Sequence, residues 1–290
     1  MTPDAVIRPL RPEDVPAAAE VGWTALSPYM PVAAAADAQD PRPRQASQRA
    51  RVAHLLGTDP GGCWVAEAGG EVVGVALGLV RDDVWGFSLF GLLPDLQGRG
   101  VGRELLGAAL TYAEGRRGGI ILSSVNPAAM RSYFRAGFRL LPTVSLGGIV
   151  RREAIPAGLR SRPGDPDADA ATIDLASRHV RGATHRPDLP TMLATGRLLV
   201  LDGEGFAVHR DGKVALLAAT SDEAAQDLAW SCLADGPPGG TVEIEFISAG
   251  NDWAVDVGLR AGLALTPEGP VFVRGELGTL RPFVPSGAYL

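Results

Sequence analysis

Three glycines at alternate positions, Gly98, Gly100 and Gly102, mark the stretch of this chain that is best suited to chemistry. They follow an apolar run at residues 84–93, which is typical of a buried strand and stops at a proline, because proline cannot continue a strand ladder. Beyond the glycines, apolar residues recur about every four positions, as on one face of an amphipathic helix. A strand, a glycine-rich turn and a helix start direct several backbone N–H groups at one point. The stretch is therefore predicted to bind an anion, with phosphate the usual ligand.

The spacing of the glycines distinguishes between kinds of phosphate loop. A dinucleotide loop, G-x-G-x-x-G, would need glycine at position 103, where the chain has Arg103. A Walker loop would need Gly-Lys-Ser/Thr at the helix start, and the only lysine of the chain is Lys213. An ordinary glycine-rich turn is the structural alternative. The segment Gln97-Gly98-Arg99-Gly100-Val101-Gly102 resembles Q-x-x-G-x-G, the pyrophosphate loop of the GNAT superfamily of acyl-CoA-dependent N-acyltransferases.

A second motif lies downstream of this loop. Residues 126–138 read NPAAMRSYFRAGF and resemble the pattern N-x-x-A-x-x-x-Y-x-x-x-G-F of the same family. The residues also suit a helix, with Asn126 as its N-cap, a proline next, and Gly137 at its left-handed end. Tyr133 would then either serve chemistry or simply pack its ring into the core. Two motifs at the usual separation, with a short strand predicted at 120–125, favour the family resemblance.

The resemblance implies roles for the residues of both motifs. Backbone N–H groups of residues 99–103 would bind the pyrophosphate of acetyl-CoA, and either arginine of that segment would reach an outer phosphate. The splayed end of the preceding strand would hold the pantetheine arm, and Asn126 its amides. Tyr133 would be the general acid that protonates the leaving thiolate. The predicted cofactor-binding residues are Leu92, Leu93, Gln97, Gly98, Arg99, Gly100, Val101, Gly102, Arg103 and Asn126.

The sequence leaves the general base open. Many members of the family carry a glutamate on the strand before the loop, whereas residues 84–93 contain no carboxylate and only Ser88 as a polar candidate. The acidic pair at 82–83 is typical of a solvated turn, and Glu67 would have to act through water. Some related tandem enzymes use a C-terminal carboxylate, and the uncharged segment 285–290 would allow that arrangement.

The elements that must position these residues follow from patterning. From residue 5 the chain predicts a strand, two helices, three strands, a helix, a strand, a helix and a strand, the order that the resemblance implies. A loop at 27–43 separates the first two helices, and in the family this region often borders the acceptor site. Gly69-Gly70 predicts the hairpin turn between two of the strands.

A second copy of the same pattern occupies the other half of the chain. Residues 251–263 repeat the spacing of residues 126–138 at one constant offset, but Gly258 stands where the first copy has Tyr133. Residues 219–224 read ATSDEA in place of the glycine loop, and two acidic residues would repel a pyrophosphate. The predicted fold is therefore α+β or α/β. It has two tandem GNAT-like domains, each a mixed, mostly antiparallel sheet flanked by helices.

The predicted boundaries are a catalytic, acetyl-CoA-binding domain at 1–155, a linker at 156–168 and a degenerate domain without a cofactor loop at 169–290. A length of 290 residues is ample for two cores. The net charge is −6, and nothing in the sequence resembles the basic face that nucleic-acid binding needs, so no nucleic-acid partner is predicted. Cys63 and Cys232 lie far apart, and the four histidines form no ligand pattern, so no metal is predicted. No run resembles a signal peptide or a membrane span, and a cytoplasmic protein is expected.

The favoured function is an N-acetyltransferase that uses acetyl-CoA and a primary amine of a small molecule or peptide. One alternative is a non-catalytic acyl-CoA-binding or sensing protein, which the presence of Tyr133 argues against. The other is a tandem-GNAT aminoacyl transferase or an enzyme similar to mycothiol synthase. The second half is expected to shape the acceptor site, and a homodimer is compatible with the sequence.

Overall fold

The computed structural model describes residues 5–30 and 39–290, and within them the order of elements predicted for the first half is confirmed. Of the loop predicted at 27–43, residues 31–38 lie outside the described residues. The strands are β1 (Val6–Pro9), β2 (Cys63–Ala68), β3 (Glu71–Arg81), β4 (Val84–Leu92), β5 (Gly118–Leu122) and β6 (Arg139–Ile149). The helices are α1 (Val15–Leu26), α2 (Arg42–Thr58), α3 (Val101–Thr111) and α4 (Pro127–Arg135).

The second half is also built of strands and helices. Its strands are β7 (Arg162–Pro163), β8 (Arg197–Leu201), β9 (Gly205–Arg210), β10 (Lys213–Ala219), β11 (Thr241–Ser248), β12 (Ala264–Gly275) and β13 (Phe283–Val284). Its helices are α5 (Ala170–Val180), α6 (Leu189–Leu193), α7 (Asp222–Asp235) and α8 (Asp252–Arg260). In the described parts of both halves, no helix combines the length and apolar character needed to cross a membrane.

The described strands all belong to one sheet. Their order is β1-β2-β3-β4-β5-β12-β6-β11-β10-β9-β8-β7, with β13 beside β10. The neighbours β4 and β5, and likewise β10 and β11, are parallel. The other neighbouring strands run antiparallel. The predicted class, a mixed and mostly antiparallel sheet flanked by helices, is confirmed.

The last long strand of each half, β6 or β12, lies in the sheet of the other half. β12 pairs with β5 over five residues, from Val271 opposite Leu122 to Gly275 opposite Gly118. In the corresponding way, β6 of the first half pairs with β11 of the second. β6 and β12 also pair with each other at the middle of the sheet. The two halves therefore exchange β6 and β12, and the sheet of either half is incomplete without the other.

Helices cover both faces of the sheet, so each half has two apolar layers. In the first half, α3 and α4 cover one face around the buried Trp85 and Leu105. On the opposite face, α1, α2 and the end of the chain pack around Leu55, Leu77 and Leu89. In the second half, α7 and α8 cover one face, and α5 and α6 the other. The first-half strand β4 is thus sandwiched between two helical layers.

A buried ion-pair network beside α2 joins the two halves. The guanidinium of Arg81, at the end of β3, donates to Asp59 Oδ2 at 2.8 Å and to both oxygens of Asp188, at 2.8 and 2.5 Å. His54 Nε2 lies 2.9 Å from Asp188 Oδ1. Burial opposes ionisation of Asp188, but the hydrogen bonds from His54 and Arg81 outweigh it and hold the pKa of the carboxyl below its usual 3.8. These contacts link the first half to the segment before α6.

Replacing this carboxylate tests the network. We expect Asp188→Asn to lower the free energy of unfolding at pH 7 by about 3 kcal/mol, because it leaves the buried Arg81 with one carboxylate instead of two. Since the pKa of Asp188 is depressed, its contribution is complete above pH 3.8 and is lost as the pH falls below that value. Chemical denaturation at several pH values measures both effects. Asp256→Asn, which removes an exposed pair with Arg260, should change stability by less than about 1 kcal/mol.

The strand exchange makes a second prediction. A fragment that ends near Gly164 lacks β12, so β5 and β6 would expose unpaired edges, and we expect the fragment to be insoluble or aggregated. Co-expression with a fragment that begins at residue 165 should restore a soluble complex, which size-exclusion chromatography and mass spectrometry would detect. A monomeric, folded 1–164 fragment would contradict the dependence on β12.

Candidate functional site

The glycine-rich turn follows β4 directly and leads into α3. Residues 94–96 form a short 3₁₀ turn, and Gly98 and Gly100 then adopt left-handed conformations, with φ angles of 77° and 92°. A residue with a side chain pays about 1–2 kcal/mol in the left-handed region. A Cβ atom added at either glycine would meet nothing within 4 Å. The backbone conformation, and not a lack of space, therefore requires glycine at these positions.

The amides of this turn are arranged as in an anion site. Gly100 is the N-cap of α3, and its carbonyl oxygen accepts a hydrogen bond from the Arg103 N–H at 2.9 Å. Four other N–H groups have no acceptor among the described residues, namely those of Gly98, Gly100, Val101 and Gly102. The amide of Arg103 was among those expected to bind phosphate, and in this structure it is already used within the helix. The free amides lie one turn earlier, at the positive end of the helix dipole.

Two hydrogen bonds hold the start of the loop against the sheet, whereas two arginine side chains extend from its surface. Gln97 Nε2 donates to the carbonyl oxygen of Leu92 at 3.0 Å, which ties the loop to the end of β4. The Leu93 N–H donates to Val73 O at 3.0 Å, so this residue stays attached to β3. The side chains of Arg99 and Arg103 are exposed at the loop surface. An anion at the loop amides would lie within the reach of these two long cations.

An opening between β4 and β5 begins beside this loop. The two parallel strands pair only from Val84 opposite Gly118 to Phe87 opposite Ile121. β4 continues to Leu92 along β3, with a register shift at Ser88 that leaves this residue as a bulge. From Ser88 onward, the side of β4 that faces β5 therefore has no strand partner among the described residues. This is the splayed edge on which the resemblance places a pantetheine arm.

Tyr133 lies on one side of this opening. Its side chain is buried, and its ring packs edge-on against Phe87, Phe90 and Phe272, with centroid distances of 6.1, 6.2 and 5.5 Å. Burial raises the pKa of the phenol above its ordinary value of 10, so the hydroxyl keeps its proton at neutral pH. The hydroxyl has no hydrogen-bond partner among the described residues. A protonated, unengaged phenol suits a proton donor.

Asn126 has a structural role that accounts for its side chain. Its Oδ1 accepts from the N–H groups of Ala128 and Ala129 at 2.9 and 3.2 Å, which caps α4 as predicted. Its Nδ2 donates to the hydroxyl of Tyr29 at 3.0 Å. A contact of Asn126 with pantetheine would compete with these bonds, and its cofactor role stays a prediction.

The carboxylates considered as a general base lie away from the opening. The pair Asp82 and Asp83 forms the turn before β4, and four residues of extended strand lie between Asp83 and Ser88, which separates the two by roughly 17 Å. Glu67 lies on β2, where its Oε2 accepts from Arg8 Nε at 2.6 Å. None of these side chains is positioned to take a proton beside Ser88.

The end of the described chain packs against β4 on the face opposite Tyr133. Ser88 Oγ donates to Ala288 O at 2.6 Å and accepts from Arg51 Nε at 2.8 Å. The Leu290 carbonyl oxygen lies 2.9 Å from Arg181 Nη1 and 2.7 Å from His185 Nε2. Burial and the neighbouring Arg181 hold the pKa of His185 well below its usual 6.5, so this histidine is neutral.

Sequence reasoning missed the residues that hold this tail. Arg51 lies on α2 among other arginines, and Arg181 and His185 lie after α5, where no motif or spacing marks them. Only the fold, which brings positions more than 100 residues apart into contact, identifies them.

The corresponding region of the second half differs in both elements. At the start of α7, Ser221 Oγ accepts the Ala224 N–H at 3.2 Å, so a side chain occupies the place of an anion. Gly258 stands in the position of Tyr133, and a Cβ atom there would lie 2.4 Å from Leu146 Cδ1. A tyrosine ring at this position would collide with a fully buried leucine.

Residues 27–138 match the sequence model of the acetyltransferase (GNAT) family. This segment contains both the glycine-rich loop and Tyr133, and it ends at Phe138. No protein in the curated set matches the chain.

Solved structures share the fold over nearly the whole length. A protein from Pyrococcus horikoshii described as an acetyltransferase has a TM-score of 0.77 at 18% identity, covering 99% of this chain and 96% of its own. A GCN5-related N-acetyltransferase from Sphaerobacter thermophilus has a TM-score of 0.58 at 17% identity, covering 99% and 100%. One from Kribbella flavida has a TM-score of 0.57 at 16% identity, covering 94% and 71%. At these identities, the likeness concerns the fold.

The loop geometry predicts the effect of filling Gly100. Valine at a φ of 92° is strained, so the turn should rearrange and lose its convergent amides. We expect Gly100→Val to weaken acetyl-CoA binding at least tenfold, about 1.4 kcal/mol, and the native protein to bind one CoA per chain. Calorimetry measures both quantities. Gly107→Val, on α3 with no atom near its Cβ, is the matched control. Unchanged affinity in the Gly100 variant, or two sites per chain, would contradict the assignment.

Proposed function

We propose that this chain, whose residues 27–138 match the GNAT acetyltransferase family, is an enzyme of that family and transfers an acetyl group from acetyl-CoA to a primary amine of a small molecule or peptide. One observation carries the proposal. The free amides of the glycine loop and the protonated hydroxyl of Tyr133 both border the opening where β4 separates from β5. An anion site and a proton donor at the two ends of one groove are what acyl transfer from a phosphate-bearing thioester requires.

The residues present fit acetyl-CoA as the co-substrate, which supplies an activated acyl group as a thioester. The amides of residues 98 and 100–102 would bind its pyrophosphate, and Arg99 and Arg103 would contact an outer phosphate. The free edge of β4 from Ser88 to Leu92 would pair with the amides of the pantetheine arm. Binding along this edge orients the thioester, and such positioning can supply a large part of the rate enhancement.

In the proposed reaction, the neutral amine attacks the thioester carbonyl carbon, and a C–N bond forms as the C–S bond breaks. The sulfur leaves as a thiolate and takes its proton from the Tyr133 hydroxyl, which regains a proton from solvent before the next turnover. The amine nitrogen loses one proton to solvent, because none of the side chains of Glu67, Asp82 and Asp83 lies beside Ser88. The buried aromatic cluster around Tyr133 would limit the access of water to the sulfur and leave the phenol as its proton donor.

The proposed catalytic domain spans residues 1–155, and residues 169–290 form a domain that keeps the fold without the cofactor loop. The second domain nevertheless supplies part of the site. Phe272 of β12 packs on the ring of Tyr133, and the segment 286–290 covers Ser88. These contacts support the expectation that the second domain shapes the acceptor side.

Replacing the proposed acid tests the mechanism. We expect Tyr133→Phe to lower kcat about 100- to 10,000-fold, the usual contribution of a general acid, with the KM for acetyl-CoA nearly unchanged. Steady-state CoA release measures both constants. Tyr112→Phe makes the same change at a tyrosine that bonds Asp59 and lies outside the opening, and its kcat should match the native enzyme. A native kcat in Tyr133→Phe would contradict the role of general acid and would show that Tyr133 only packs in the core.

A CoA-release assay against a panel of amines separates an enzyme from a binder. Amine-dependent release would support transfer, whereas tight acetyl-CoA binding with no release for any amine would support the alternative of a non-catalytic acyl-CoA-binding protein.

A further inference from the structure

Arg51 is the charged side chain nearest to the β4 bulge on the face opposite Tyr133. It projects from α2, is half-buried, and donates from Nε to Ser88 Oγ at 2.8 Å and from Nη2 to Gly287 O at 3.3 Å. Ser88 is the residue at which β4 leaves β5. If acetyl-CoA binds as proposed, Arg51 lies on the side from which an acceptor must approach the thioester.

The charge of Arg51 is not neutralised by the described protein. No carboxylate among the described residues lies within ion-pair distance, and both of its hydrogen-bond acceptors are uncharged. Arg81 differs, because it is buried against two carboxylates. Arg181 differs too, because its guanidinium donates to four main-chain oxygens. A guanidinium has five N–H donors, and Arg51 uses only two in the described contacts.

Burial also acts on this unpaired cation. It lowers the pKa of Arg51 to about 10, so the guanidinium remains charged at neutral pH but is poorly solvated. Taking a charge out of water without a partner is costly, and an anion placed against it removes that cost. The free half of a planar guanidinium matches the geometry of a carboxylate.

The surroundings of Arg51 include a strained apolar residue. Phe246, on β11, has a φ of 55°, a strained conformation that is rare for a bulky residue. Its ring lies 3.8 Å from a Cβ built on Gly287, whose carbonyl oxygen accepts from Arg51. Like Leu122 and Leu141, it packs against the apolar cluster that contains Val84, Ile120 and Leu290. A cation beside an apolar surface suits a ligand with one anionic group and an apolar part.

We propose that Arg51 binds a carboxylate of the acceptor, so that the acceptor class is an amino acid or a peptide with its free carboxylate near the reacting amine. This inference rests on the proposed acetyl transfer. A single guanidinium balances one negative charge, which favours a carboxylate over a doubly charged phosphate. Its positive charge repels polycationic amines, and it disfavours the ammonium form of a nearby amine. Arg51 would therefore help to supply the neutral nucleophile.

The test compares acids with their neutral analogues. The twenty L-amino acids, their carboxamides and simple diamines are offered to the full-length protein with acetyl-CoA, and CoA release is measured. We expect the best acceptor to be an acid whose kcat/KM exceeds that of its carboxamide at least tenfold. Arg51→Gln should reduce kcat/KM for the acid about 10- to 100-fold, the loss expected for a charge-assisted hydrogen bond, and leave the carboxamide unchanged. Arg51→Lys should retain part of the preference, and the exposed Arg49→Gln all of it.

Each other outcome counts against the proposal. An unchanged ratio of acid to carboxamide in Arg51→Gln would mean that Arg51 only braces Ser88 and the tail. A best acceptor without a carboxylate would overturn the acceptor class. If no amine releases CoA, calorimetry with N-acetyl amino acids and their amides decides, and equal binding of the two series overturns the role of Arg51. Absence of acetyl-CoA binding would instead contradict the proposed function, and the same calorimetry would still judge Arg51 alone.

Discussion

The antiparallel pairing of β6 with β12 is the contact on which the rest of the molecule depends. Both strands lie inside the single sheet, and each fills a position that the other half leaves open. Unpaired backbone groups in the middle of a sheet cost as much as broken hydrogen bonds, so the two halves fold as one unit. The buried pairing of Arg81 with Asp188 then fixes a second point of contact between the halves.

This dependence explains how a half without a glycine loop can matter to the proposed chemistry. Phe272 comes from the exchanged strand and touches the ring of Tyr133, while Arg181 and His185 hold the tail that covers Ser88. The two faces of β4 thus receive different second-half contributions. One face gains aromatic packing around the proposed acid, and the other gains the polar surroundings of Arg51.

Several features of the fold and of the candidate site could be predicted from the sequence, because they depend on local residues. The glycine turn, the cap of α4 at Asn126 and the order of strands and helices each depend on residues close together in the chain. The strand exchange could not be predicted, because β6 and β12 are copies with the same spacing, and either would satisfy the same neighbour. Arg51 was invisible for a related reason. The role proposed for Arg51 follows from the lack of a carboxylate near its guanidinium among the described residues. The sequence does not show which residues are neighbours in space.

The strand exchange also delays the pairing of β5 and β6 with β12 while the chain is synthesised on the ribosome. β5 and β6 are complete once residue 149 has been made, but their partner β12 begins only at Ala264. At 5–20 residues per second, the two strand edges wait for roughly 6–23 s before they can be covered. During that interval the nascent first half presents open β edges, which are templates for association with other chains. Protection by a chaperone, or by the ribosome itself, would be most valuable in this interval, well before any substrate is bound.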